Sequence, residues 1–102
     1  MKLIKELSEM IAEEVEGAEC YAKKALMFKE DRPDLAKTFF TLANEELGHV
    51  NMLHAAVVKM IEEYRSEHGE PPAGMLAVYD YLHEKQIANV AKVRGMLSEY
   101  KM

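Results

Sequence analysis

The chain has 102 residues, 49% of them apolar and 30% charged, with a formal net charge of −5, which describes a single domain over residues 1–102 with one modest core. Its acidity excludes the basic patch that nucleic acid or an anionic membrane requires and makes small cations the natural ligands. One cysteine, Cys20, excludes an internal disulfide and any CxxC sulfur site, and with no apolar run long enough to cross a bilayer and no secretory signal, a cytoplasmic protein is expected.

Proline and glycine divide the chain. Pro33 in EDRPDL and the cluster Gly69, Pro71, Pro72 and Gly74 in HGEPPAG separate three segments rich in Ala, Leu, Met, Glu and Lys, residues that favour helix. No alternating strand pattern occurs, so the chain reads as all-α, with helices over about residues 2–30, 34–66 and 73–100. The first connection is short, which makes the first two helices an antiparallel hairpin, and Asp31 or Asp34 is placed to cap the second helix with Pro33 near its first turn.

On a 3.6-residue wheel the first helix lines up Ile4, Leu7, Ile11, Ala18, Ala22 and Ala25, with Tyr21 along one side and Glu14 within the stripe. In the second, Phe39, Ala43, Val50, Leu53, Val57 and Tyr64 share a face. Glu46 lies in its middle and His49, three residues on, flanks it. The third carries Leu76, Tyr79, Ile87, Val90 and Leu97 with His83 among them.

A carboxylate in a core must be protonated, paired or bound to a metal, because burying its charge alone is costly. No lysine or arginine accompanies Glu14 or Glu46 on these faces, and Arg94 of the third helix is the one inward basic residue. A divalent cation accounts for two inward carboxylates and an adjacent imidazole, since that donor mixture suits iron, manganese or zinc. A Glu-x-x-His spacing alone arises by chance in any Glu-rich helix. Its weight here comes from Glu14, which is independently inward at a similar distance from the hairpin turn. Three alternatives stay open on the residues: Glu19 in place of Glu14, a one-chain zinc or manganese site adding His83, and a metal-free dimerisation or adaptor module in which the carboxylates pair with Arg94 and the histidines.

EEVEGAECY (residues 13–21) followed by NEELGHVNM (residues 44–52) resembles the encapsulated ferritins, short relatives of the ferritin and rubrerythrin superfamily that carry half of a four-helix di-iron bundle in each chain. The resemblance spans roughly residues 8–65. It implies a ferritin-like bundle completed by a homodimer or larger homo-oligomer, a di-iron site at the dimer interface, and ferroxidase activity, the oxidation of Fe(II) by dioxygen or peroxide for storage or detoxification. It further implies that Glu14, Glu46 and His49 are the ligands, that Glu13 and Glu16 form an outer entry site, and that Tyr21 lies close to the metal. Two departures stand out. Cys20 replaces an aromatic residue, and LSEYKM is unlike the tail that docks such ferritins in an encapsulin shell, so residence in a shell is not expected.

Overall fold

The computed structural model describes residues 2–102, as three helices: α1 (Lys2–Phe28), α2 (Pro33–His68) and α3 (Ala73–Lys101). Among the described residues there is no strand, and no helix is long and apolar enough to cross a membrane. The expected all-α hairpin with a third helix is therefore present, with α2 two residues longer than expected at its C-terminal end. Neither Asp31 nor Asp34 caps α2. Arg32 occupies the cap position in an extended conformation (φ −139°), because the residue before a proline is pushed out of the helical region, and its carbonyl accepts from the Ala36 amide at 2.9 Å. Asp34 instead lies in the first turn, where a negative charge meets the positive end of the helix dipole. Gly69, at φ +79°, ends α2 in a conformation that other residues rarely adopt and donates its amide to Arg65 O at 2.9 Å.

The helices run up, down and up. Glu14 meets His49 and Tyr21 meets Phe39 across α1 and α2, while Phe40 stacks on Tyr100 (ring centroids 4.7 Å apart) and His54 on His83 (4.8 Å) across α2 and α3. Alanines bring α1 and α2 close: Ala18, Ala22, Ala25, Ala36 and Ala43 are all at most 1% exposed. The helix α3 is fastened mainly to α1, by Val93 and Leu97 packed on Ala18 and Ala22, by Gln86 Nε2 donating to Ser8 O at 3.2 Å, and by the Lys92–Glu19 ion pair at 2.8 Å.

The packing follows a repeat alternating steps of four and three residues, the spacing of a coiled-coil seam. Ile4, Ser8, Ile11, Val15, Ala18, Ala22 and Ala25 form the buried seam of α1, and Ala36, Ala43, Leu47, Val50, Val57 and Ile61 that of α2. On α3 the seam is Tyr79, His83, Gln86, Val90, Val93 and Leu97. Two expectations fail for that reason. Ile87 is 56% exposed, and Arg94 is exposed and forms no ion pair among the described residues, because each lies one residue round the helix from the seam.

A second seam adjoins the first on both α1 and α2. Leu3, Leu7, Met10, Glu14, Gly17 and Tyr21 follow the same spacing on α1, as do Leu35, Phe39, Leu42, Glu46, His49 and Leu53 on α2. These outer seams lie away from α3. They are half-buried to exposed, with Leu3, Met10 and Leu35 at 48%, 47% and 39%.

Candidate metal site

The outer seams bring Glu14 from α1 to Glu46 and His49 from α2. One donor atom from each of the three residues lies within 4.8 Å of the other two. His49 Nδ1 is 3.3 Å from a Glu14 carboxylate oxygen and 4.0 Å from Glu46 Oε1. The i, i+3 step sets Glu46 and His49 on one side of α2, and the close α1/α2 packing brings Glu14 to them. The carboxylates are not sealed in the core as expected from the sequence: the Glu14 and Glu46 side chains are 32% and 23% exposed and His49 is 53% exposed, because all three stand on the outer seam.

The pKa values of the two carboxylates are shifted in opposite directions. The hydrogen bond from Glu46, together with His49, holds the Glu14 carboxyl below its ordinary value despite partial burial. Glu46 is pushed the other way, by that same hydrogen bond, by burial and by the Glu14 charge, with His49 opposing. No lysine or arginine forms an ion pair with either among the described residues. A first-row divalent ion bonds such donors at roughly 2.0–2.2 Å, which sets neighbouring donors about 3–3.5 Å apart, so small side-chain rotations suffice to gather these three.

The remaining sequence candidates are elsewhere. Glu19 is engaged by Lys92 at 2.8 Å and Lys23 at 3.2 Å, and these hydrogen bonds lower its pKa. It faces the α1/α3 cleft, which Glu16 also lines, and Glu13 is exposed. His83 is not part of the cluster. Its ring stacks on His54 and, with centroids 5.7 Å apart, on Tyr79, and its Nδ1 is buried without a hydrogen-bond partner among the described residues. A one-chain site of Glu14, Glu46, His49 and His83 is therefore not formed. The Tyr21 ring stacks on Phe39 at 6.1 Å, and Cys20 is exposed and belongs to neither seam of α1. The wheel missed Gly17, whose absent Cβ would lie 3.5 Å from Glu46 Oε2. Its place between Glu14 and Tyr21 in the four-three repeat was the available signal.

The fold and site thus define an all-α up-down-up protein carrying a carboxylate–histidine cluster on a half-exposed face. Comparison with protein-family models, with curated proteins and with solved structures finds no match for the chain.

Proposed function

We propose that two copies of the chain join through the outer seams of α1 and α2, and that Glu14, Glu46 and His49 of both bind Fe(II) as substrate and oxidise it. The convergence of these three donors within 4.8 Å, on an apolar-flanked face and without a lysine or arginine partner among the described residues, carries the reading. One chain offers a carboxylate from one helix and Glu-x-x-His from another, half of the donor set of a ferritin-like di-iron bundle. A two-fold axis doubles it to four carboxylates and two imidazoles, with both halves equivalent. The carboxylates neutralise the cations and the imidazoles complete a mixed donor set that suits iron and also accepts manganese or zinc. Each Fe(II) gives up one electron to dioxygen or peroxide. Protons compete with a cation for Glu46, whose pKa is raised, so affinity falls as the solution is acidified.

Fe(II) binding and aerobic oxidation by single alanine variants test this. Glu14→Ala, Glu46→Ala and His49→Ala each lose most of both, whereas Glu62→Ala, an exposed residue outside the cluster, keeps them. Equal Fe(II) binding by Glu46→Ala and the parent removes the assignment. A second reading is zinc or manganese binding by one chain without redox turnover, favoured by a single observation: one chain already gathers three donors. Sedimentation separates the two readings, since this second one leaves the mass unchanged when metal is added.

A further inference from the structure

We propose that Gly17 is a positioning residue that keeps one flank of the Glu46 carboxylate open to a hydrated divalent cation; this rests on the metal-binding reading above. Gly17 stands on the outer seam between Glu14 and Tyr21, in the interior of α1. Its backbone is helical, with no positive φ, so any residue could adopt it, and glycine there is less favourable than alanine because it loses more backbone freedom on folding. Local structure gives no reason for it.

The surroundings do. A Cβ at Gly17 would lie 3.5 Å from Glu46 Oε2 and 3.9 Å from its carboxyl carbon, whereas at Gly48 and Gly95, also inside helices, it would meet nothing within 4 Å. The carboxylate's other neighbours are Glu14 and His49, with His49 Nδ1 4.0 Å from Oε1. A methyl in van der Waals contact with Oε2 fills space beside that oxygen which a cation bound to the carboxylate at about 2.0–2.2 Å would otherwise share with its own water ligands. Glycine gives up helix stability and leaves that space free.

The full chain is titrated with Mn(II) alone, free ion being counted by electron paramagnetic resonance, for the parent, Gly17→Ala and Gly95→Ala. Both variants melt higher than the parent without metal, as alanine replaces glycine in a helix. Gly17→Ala binds Mn(II) about ten- to a hundredfold more weakly, and Gly95→Ala binds it as the parent does. Stability and affinity moving in opposite directions is an outcome that a purely structural role for Gly17 does not give. The deficit persists at about a hundredfold higher protein concentration, where a defect in association would be relieved by mass action. Parent-like affinity in Gly17→Ala, or a deficit that disappears at the higher concentration, overturns the proposal while leaving the metal site intact. A parent that binds no Mn(II) ends the metal-site reading and this one with it.

Discussion

On acidification Glu46 is the carboxyl of the pair that takes a proton first, because its hydrogen bond with Glu14 raises its pKa while that of Glu14 is lowered. The folded chain takes up that proton before the unfolded chain does. Ionised Glu46 therefore costs stability at neutral pH, and the cost is recovered as the pH falls toward about 4.5. Glu14, with its lowered pKa, has the opposite sign: its contribution is present above about 4.5 and lost below, as the pH falls through its folded value. Without metal, Glu46→Gln is expected to melt about 2–4 °C above the parent at pH 7, a gain below about 1 kcal/mol because the side chain is partly exposed. Thermal melts with chelator check this, and the difference closes as the pH approaches about 4.5. The same variant is expected to lose aerobic Fe(II) oxidation. A variant melting below the parent would mean that Glu46 has a cationic side-chain partner. At this scale the sequence was informative for Glu14, Glu46 and His49, where an i, i+3 step and one short hairpin fix the geometry. It misplaced Arg94, whose surroundings depend on how α3 is rotated, whereas His83 stands on the α3 seam as read and lies outside the donor cluster.

The two halves of α3 are held differently. Its buried residues, Val93 and Leu97, both lie toward the C-terminus, while the N-terminal half is held by Tyr79 and His83 against His54 and the inner seam. Val93→Ala, at a position with no exposure, is expected to cost about 2 kcal/mol in denaturant unfolding, as two buried methyls are lost and a cavity remains. Val78→Ala, at a position 60% exposed, stays within about 0.5 kcal/mol of the parent. The His54–His83 stack adds a pH dependence. Burial, and then the neighbouring His83, lower the pKa of His54, so the unfolded chain protonates first as the solution is acidified. The stability this ring supplies is present in full above about pH 6.5 and is lost as the pH falls below it. Melts at pH 7 and 5.5 are expected to drop further for the parent than for His54→Phe, which has no proton to take up. An equal drop in both would remove His54 as the cause.

Taken whole, the molecule is a rod of 55 × 18 × 18 Å with one long face covered by α3 and another left half-exposed around the acidic cluster. A ligand that binds only the associated state shifts association toward it, so Fe(II) or Zn(II) is expected to raise the sedimenting mass of the parent toward that of a dimer. Met10→Glu tests the face itself. Met10 is 47% exposed on the outer seam of α1, one turn before Glu14, so a charge there leaves the isolated fold intact. In an apolar contact between copies it would be desolvated without a partner. The variant is expected to keep the parent's helical content and to remain monomeric with metal, and full metal-driven dimerisation by it would move the interface elsewhere.

Composition, punctuation and period determined three helices, their order and approximate ends, and that Glu46 and His49 share one side of α2, because these depend on contacts a few residues apart and on one short turn; that Glu14 rather than Glu19 meets them was left open and is decided by the packing. The sequence left open which of two adjoining seams faces the interior. A 3.6-residue wheel merges two neighbouring four-three repeats into one broad stripe, so Glu14 and Glu46 read as core residues when they stand on its outer edge. Only the packing of α3 on α1 separates the seams. By covering Ile4, Ile11 and Ala18 and turning Ile87 and Arg94 outward, it leaves the carboxylates half-exposed and removes His83 from their reach. The closeness of Gly17 to Glu46 likewise depends on the distance between two helix axes, which the alanines of the inner seams set and no single helix encodes.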